Sequence, residues 1–181
     1  GVAIDSRLIQ PGDAFFALPG RLHHGIQFVA QAVESGAACI VTNIAPPAEF
    51  GLSRNPTHSA PGGRECPVIL VPDPIQALQA FSHWNRQQSD ALVIGITGSV
   101  GKTTTRQMIY QILRQGFRCV QSPKNFNNES GVPLSLLQLQ QEDEIAILEL
   151  GAGKAGDIQF LCELTKPEIG VVTRVAPCHL Q

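Results

Sequence analysis

The feature that most constrains the fold is a glycine-rich segment between a strand-like run and a helix-like run. Residues 91–96 are continuously apolar, which is typical of a strand covered on both faces. A helix is predicted from Lys102 to about residue 115. Backbone N–H groups between such a strand and helix face an anion. The order therefore predicts a phosphate-binding loop, formed by Gly98, Ser99, Val100, Gly101, Lys102, Thr103 and Thr104.

Two side chains of this loop suit a nucleotide phosphate. Lys102 can reach the terminal phosphates, and the hydroxyl of Thr103 can bind Mg²⁺. The common pattern G-x-x-x-x-G-K-T needs a glycine where this chain has Ile96, so a chance Gly-Lys-Thr is the alternative. The strand before the loop and the helix after it favour the phosphate site.

Composition and charge narrow the class of protein. Hydrophobic residues make up 43% of the 181 residues and charged residues 15%, as in globular chains. A net charge of -2 without basic runs argues against nucleic acid as a partner. No apolar run reaches the roughly 18 residues of a membrane helix, so no membrane insertion is expected. The five cysteines form no C-x-x-C pair, so we expect neither disulfides nor zinc, and a cytoplasmic setting.

Strand-like and helix-like runs alternate along the chain, which implies parallel sheets with right-handed crossovers. Strands are predicted at residues 1–7, 14–18, 38–42, 67–71, 91–96, 117–121, 145–150 and 169–173. Helices are predicted at 25–35, 74–86, 102–115, 132–139 and 157–164, with Met108, Ile109, Ile112 and Leu113 as the apolar stripe of the loop helix. We predict an α/β protein with a small N-terminal domain (1–87) and a nucleotide-binding domain (88–181).

Two more residues are predicted at the sheet edge that carries the loop. Glu149 ends an apolar strand, and ligands of open parallel sheets sit outside the carboxyl ends of strands. Its carboxylate suits Mg²⁺, and the alternative is a solvated carboxylate at a strand end. His179 follows the last strand and can be a metal ligand or a donor beside one. A surface or packed histidine is the alternative for that residue.

Two polar segments are ambiguous. Asn127 and Asn128 lie between a strand and a helix, where asparagine can bind a polar substrate or serve turns and helix caps. Arg7 can hold a phosphate and Ser6 can hydrogen-bond one. The alternative for Ser6 and Arg7 is a strand-end turn with a surface ion pair.

These segments together resemble the Mur ligases of peptidoglycan synthesis. Residues 97–104 match that family's phosphate loop, T-G-x-x-G-K-[ST]-[ST]. Residues 5–20 match D-S-R-x-x-x-P-G-D-x-F-F-A-L-x-G, which opens the members that add to UDP-muramoyl peptides. Residues 125–137, N-F-N-N-E-S-G-V-P-L-S-L-L, look like the member that adds D-alanyl-D-alanine. The resemblance covers nearly the whole chain.

The resemblance implies an ATP-dependent amide ligase that uses Mg²⁺ and works as a monomer. Its substrates would be UDP-N-acetylmuramoyl-tripeptide and D-alanyl-D-alanine, which are joined through an acyl phosphate. The loop would bind ATP, and the first domain would bind the UDP portion. The implied residues are Lys102, Glu149 and His179 for catalysis; Thr103, Glu149 and His179 for Mg²⁺; Ser6 and Arg7 for the UDP portion; and Asn127 and Asn128 for the peptide.

The chain departs from the family pattern at two places. The family commonly reads G-A-N-H after the strand glutamate, where this chain has G-A-G-K with Lys154. Arg174 stands where many members have asparagine, before the A-H-L segment. The family also continues past the equivalent of residue 181 with a modified lysine and a C-terminal domain, so we expect the chain alone to be inactive.

Three other functions stay open from the sequence. The first is a sister Mur ligase that adds an amino acid. The second is a phosphate-loop kinase or GTPase, which would not need the segment 5–20, and no guanine-reading motif is evident. The third is a nucleotide-binding module without catalysis.

Overall fold

The computed structural model describes residues 1–20, 24–46, 66–123 and 126–176. The chain divides into two compact units, Gly1–Leu78 and Gln79–Gln181. The sequence places its boundary later, after residue 87, at the end of a helix that contains the division. His179 lies outside the described residues, as do Asn125 of the segment 125–137 and Cys178, one of the five cysteines.

The first unit contains a parallel sheet of four strands in the order β1-β2-β3-β4. Its strands are β1 (Val2–Ala3), β2 (Ala14–Phe16), β3 (Cys39–Thr42) and β4 (Val68–Leu70). Helix α1 (Val29–Glu34) follows a 3-10 turn at Gly25–Phe28 and buries Val29 and Ala32. The predicted strand over residues 1–7 is wrong beyond Ala3. Ser6–Leu8 forms a 3-10 helix instead, because the Asp5 side chain accepts the N–H of Arg7.

The second unit contains another parallel sheet of four strands, in the order β6-β7-β5-β8. Its strands are β5 (Leu92–Thr97), β6 (Cys119–Gln121), β7 (Ile145–Glu149) and β8 (Ile169–Val172). The helices of the rest of the chain are α2 (Pro74–Gln87), α3 (Lys102–Leu113), α4 (Gly131–Leu136) and α5 (Asp157–Thr165). Two parallel sheets with helical crossovers confirm the predicted α/β class.

Alternate residues of β5 and β7 pack on opposite faces of this sheet. Val93 and Leu148 belong to a core with α4 and α5, whose members include Val132 and Leu161. Ile94, Ile96 and Ile147 form a second core against α3. Covering on both faces explains why these strands read as continuous apolar runs.

The predicted apolar stripe of α3 is half wrong. Ile109 and Leu113 pack against the sheet, but Met108 is 61% exposed and Ile112 is 66% exposed. The residue that shares the buried face is Arg106, which is 4% exposed. Its position three residues before Ile109 places it on that side of the helix.

No described helix combines the length and the apolar character that a membrane crossing requires.

Candidate functional site

The carboxyl ends of β5 and β7 lie side by side in the second unit. The two strands are parallel neighbours, and Ile96 pairs with Glu149 at their ends. From β5 the chain continues toward β6, whereas from β7 it continues to β8 on the other side. Strand connections that depart in opposite directions leave a crevice, which is the usual ligand position of open α/β sheets. The predicted loop and Glu149 therefore lie at the same edge of the sheet, the one formed by the carboxyl ends of its strands.

Two glycines give the loop between β5 and α3 its shape. Gly98 and Gly101 have φ of 133° and 91°, in the region that favours glycine. A β-carbon on Gly98 would collide with Oγ1 of Thr173. Gly98 therefore needs to be glycine both for its backbone angle and for the approach of the neighbouring chain.

The start of α3 presents backbone donors. Thr105 is the first residue of the helix whose backbone N–H is donated, and its acceptor is the carbonyl oxygen of Gly101 at 2.9 Å. Among the described residues, the N–H groups of Lys102, Thr103 and Thr104 make no backbone hydrogen bond. The ammonium group of Lys102 lies over the loop, 2.6 Å from the carbonyl oxygen of Gly98. Helix-end N–H groups and a lysine charge together suit a phosphate group.

Residues after β8 brace the loop from its other side. The N–H of Ser99 donates to the carbonyl oxygen of Arg174 at 2.7 Å. The hydroxyl of Thr173 contacts the carbonyl oxygens of Val100 and Thr97 at 2.8 and 3.1 Å. Sequence reasoning missed Thr173, although its place after the last strand, on the ligand edge, is a signal that could have identified it. Arg174 is exposed and contacts the loop through its backbone.

Glu149 is buried at this edge and reaches the loop. It is 3% exposed, and its Oε2 accepts a hydrogen bond from the hydroxyl of Thr103 at 3.2 Å. Its Oε1 lies 3.3 Å from NH1 of Arg106 in an ion pair, but has no hydrogen-bond donor among the described residues. The solvated-carboxylate alternative is therefore wrong for Glu149, whereas its role with a metal is not tested by these contacts.

Sequence reasoning also missed Ser122, which follows β6. Its hydroxyl accepts the N–H of Glu149 at 3.1 Å, and its carbonyl oxygen accepts a hydrogen bond from Arg106. Arg106, Ser122 and Glu149 thus form a buried polar cluster beneath the loop, in which Nε of Arg106 has no hydrogen-bond partner among the described residues. The spacing of Arg106 with Ile109 and Leu113 is the signal that could have identified it, since it puts Arg106 on the buried face of α3. A cation on a buried face needs a buried acid as its partner.

The asparagine segment contacts the same edge through its backbone. The carbonyl oxygen of Asn127 accepts the N–H of Gly151 at 2.7 Å, two residues after Glu149. The side-chain oxygen of Asn128 accepts the N–H of Gly131 at 2.8 Å, at the start of α4. These contacts fit the turn and capping alternative, and substrate binding by either residue stays a prediction.

After β7, Asp157 organises the turn that contains Lys154. Its carboxylate accepts the N–H groups of Gly153 and Lys154, each at 2.9 Å. These two hydrogen bonds hold the pKa of Asp157 below its ordinary value. The side chain of Lys154 is exposed, and the turn uses its backbone N–H rather than its side chain.

Ser6 and Arg7 lie in the first unit, in the 3-10 helix after β1. The Ser6 hydroxyl is buried and donates to Oε1 of Gln31 at 2.7 Å. Arg7 is exposed, and Nε and NH2 contact the carboxylate of Asp5 at 2.9 and 2.6 Å. The hydrogen bond from Arg7 holds the pKa of Asp5 below its ordinary value. The ion-pair alternative is thus present, and a role with a ligand stays a prediction.

Comparison with known proteins places these two units in one family. The description "Mur ligase family, catalytic domain" matches residues 1–83, and "Mur ligase middle domain" matches residues 96–181. The chain belongs to the Mur ligase family. The Mur ligase middle-domain match begins at Ile96, so it contains the whole glycine-rich loop and Glu149.

Individual Mur ligases resemble the chain over nearly its whole length. It is 36% identical over 181 residues to the UDP-N-acetylmuramoyl-tripeptide--D-alanyl-D-alanine ligase of Bacillus subtilis, and 34% identical over 180 residues to that of Escherichia coli. The match covers 100% of this chain and 37% of the Bacillus protein, and 99% and 36% for the Escherichia protein. The chain thus spans little more than a third of the length of the curated relatives it matches.

Solved structures agree with the sequence comparison. A MurF crystal structure from Acinetobacter baumannii matches 99% of this chain and 36% of its own, with a TM-score of 0.81 and 32% identity. A MurF ligase from Thermotoga maritima in complex with ADP matches 99% of this chain and 38% of its own, with a TM-score of 0.78 and 29% identity. The fold of this chain is therefore that of the corresponding part of MurF ligases.

Proposed function

We propose that the chain forms the substrate-binding and nucleotide-binding part of an ATP-dependent amide ligase. The full-length protein would join D-alanyl-D-alanine to UDP-N-acetylmuramoyl-tripeptide. The observation that carries this proposal is the phosphate loop facing Glu149, with Thr103 Oγ1 and Glu149 Oε2 3.2 Å apart, in a chain similar throughout to ligases of that name. The same similarity supports ATP as the nucleotide, since a related MurF structure holds ADP.

The reaction proceeds in two steps. A carboxylate oxygen of the tripeptide attacks the γ-phosphorus of ATP, and the bond from that phosphorus to the bridging oxygen of ADP breaks. The amine of D-alanyl-D-alanine then attacks the acyl phosphate, loses a proton and displaces inorganic phosphate. Lys102 and the N–H groups at the start of α3 would stabilise the charge on the transferring phosphoryl group.

The residues at the loop fit Mg²⁺. A site with one carboxylate, one hydroxyl and phosphate oxygens is what Mg²⁺ usually takes in nucleotide enzymes. Glu149 supplies a buried carboxylate, and Thr103 supplies the hydroxyl. No group of three or more histidine, cysteine, aspartate or glutamate side chains poised for a metal lies among the described residues. Glu149 and Thr103 would hold Mg²⁺ together with ATP, and the ion would neutralise phosphate charge; His179 remains a further predicted ligand.

Substrate contacts are assigned to the first unit and to the asparagine segment. Ser6 keeps acceptor capacity while it donates to Gln31, and the exposed guanidinium of Arg7 can reach a diphosphate. Asn127 and Asn128 would contact the peptide portion. The four described cysteines are free thiols, which supports a reducing, cytoplasmic location for the reaction.

The deciding assay measures phosphate release by the full-length protein with ATP and Mg²⁺. Release is expected only when UDP-N-acetylmuramoyl-tripeptide and D-alanyl-D-alanine are both present. Release with a single amino acid in place of D-alanyl-D-alanine would assign the protein to a sister ligase. Phosphate release that needs neither substrate would favour a different nucleotide-dependent enzyme.

A further inference from the structure

We propose that Arg106 is a positioning residue that orients the carboxylate of Glu149 toward Thr103 and the metal. This inference rests on the proposed function, because it concerns the Mg²⁺ site of the ligase. Arg106 is absent from the phosphate-loop pattern, since it lies two residues after Thr104 in the body of α3. Its side chain points to the sheet, where it is 5% exposed.

The polar cluster holds Arg106 and Glu149 at fixed positions. NH1 of Arg106 contacts Oε1 of Glu149 at 3.3 Å and also donates to the carbonyl oxygen of Ser122. Ser122 is 1% exposed, and its hydroxyl accepts the N–H of Glu149 at 3.1 Å. Ser122 therefore fixes both the guanidinium of Arg106 and the backbone of Glu149, and the ion pair at Oε1 restrains the carboxylate.

The two oxygens of Glu149 have different partners. Oε1 faces Arg106, whereas Oε2 faces Oγ1 of Thr103 at 3.2 Å. Adjacent ligands in a Mg²⁺ shell of about 2.1 Å radius lie about 3 Å apart. The 3.2 Å between Oε2 and Oγ1 is the length of their hydrogen bond, and it also suits two ligands of one Mg²⁺ ion. Arg106 contacts Oε1, which leaves Oε2 available to the ion.

A second buried arginine in the same unit shows what a purely structural pair looks like. Arg86 contacts Glu168 at 2.8 Å and the carbonyl oxygen of Thr165 at 3.0 Å. Glu168 stands just before β8, at the amino end of the sheet, and its other oxygen accepts the N–H of Val93. Arg106 instead pairs with an acid at the carboxyl end, where ligands bind.

The test measures ADP binding by calorimetry at a series of Mg²⁺ concentrations in the full-length protein. Removing a residue that orients a metal ligand typically weakens metal affinity 10- to 100-fold. Arg106→Met is therefore expected to raise the Mg²⁺ concentration for half-maximal ADP binding by about tenfold or more. Arg106→Lys keeps the charge but lacks the planar guanidinium, so this Mg²⁺ concentration is expected to rise only about threefold. Arg86→Met is the matched control. It is expected to lower the thermal stability and to leave the Mg²⁺ dependence of ADP binding unchanged.

The possible outcomes separate this proposal from the one it rests on. If Arg106→Met and Arg86→Met lose similar stability and both keep the wild-type Mg²⁺ dependence, Arg106 is merely structural. Tighter Mg²⁺ binding in Arg106→Met would mean that Arg106 competes with the ion, which also contradicts the proposal. If Arg106→Met does not fold, wild-type Mg²⁺ dependence in Arg106→Lys overturns it. A wild-type protein whose ADP binding ignores Mg²⁺ would refute the metal site itself.

Discussion

Lys102 combines a backbone role with a side-chain role, because it begins α3 and holds its ammonium group over the loop. Lys102→Ala keeps the helix start but removes the charge that is proposed to face the phosphates. Loss of one such group typically lowers kcat by roughly 10²–10³-fold, and we expect at least that loss in phosphate release by the full-length protein. Arg114→Ala, at the other end of α3, removes an exposed charge and should keep the wild-type rate. Equal rates for the two variants would contradict the role given to Lys102.

Gly98 is the residue whose replacement should damage the loop most directly. In Gly98→Ala the new methyl group meets Oγ1 of Thr173, and φ of 133° is unfavourable for alanine. We expect ADP binding to weaken by at least tenfold, which corresponds to about 1.4 kcal/mol, measured by calorimetry. Gly116→Ala is the control, because a β-carbon there has nothing within 4 Å. Normal ADP binding by Gly98→Ala would mean that the loop adjusts without loss.

The loop residues and Glu149 were predictable at this scale, whereas the contacts that support them were not. Glycine, lysine and threonine in a fixed order carry a local mechanism that sequence alone reveals. Arg106 and Ser122 act through contacts with a strand that follows much later in the chain, as in the hydrogen bond from Glu149 to Ser122. Such contacts depend on the order of strands, which no local pattern specifies.

Among the elements, α3 illustrates why a correct helix can have an incorrectly assigned face. Met108 and Ile112 are spaced four apart, as are Ile109 and Leu113, so the helical period fits either pair. The sheet covers Ile109 and Leu113, and Arg106 extends that face toward the loop. Arginine is usually exposed, so hydrophobicity alone placed both pairs on the stripe and left Arg106 off it.

Helix α5 is followed by Lys166, whose backbone conformation is unfavourable for lysine. Lys166 has φ of 45°, and its N–H donates to the carbonyl oxygen of Cys162 at 2.8 Å. Left-handed backbone costs a residue other than glycine roughly 1–2 kcal/mol. Lys166→Gly should therefore raise the free energy of unfolding by roughly 0.5–1 kcal/mol, because the relieved strain exceeds the extra chain entropy that glycine loses on folding. Urea unfolding tests this, and a less stable variant would contradict it; Lys154→Gly is an exposed comparison.

At the scale of the whole molecule, the α/β class and most elements followed from the sequence, but the order of strands did not. Alternating apolar runs predict strands, helices and parallel sheets. Nothing in those runs says that β5 lies between β7 and β8, or that α2 begins in one unit and ends in the other. The end of α2 belongs to the second unit because Asn85 and Arg86 donate to carbonyl oxygens of Leu136 and Thr165.

Arg86 therefore contributes to the stability of the second unit. Arg86→Met leaves the carbonyl oxygen of Thr165 and one oxygen of Glu168 without this donor. Glu168 is half exposed, so we expect a loss of roughly 1–3 kcal/mol in the free energy of unfolding. Trp84, the only tryptophan, lies in α2 and reports urea unfolding by fluorescence. Arg118→Met, an exposed control, should stay within about 0.5 kcal/mol of wild type, and similar losses in both variants would contradict this role.

The central place of β5 has a consequence for how the protein is made. Ile94 pairs with Ile147 and Ile169, which follow it by 53 and 75 residues. On the ribosome, β5 therefore emerges long before either neighbour in its sheet has been synthesised. Contacts between residues so distant in sequence form slowly during folding. The proposed nucleotide loop begins early in the second unit but is held by Thr173 and Glu149, so a nascent chain would form the proposed site only after β8 has been synthesised.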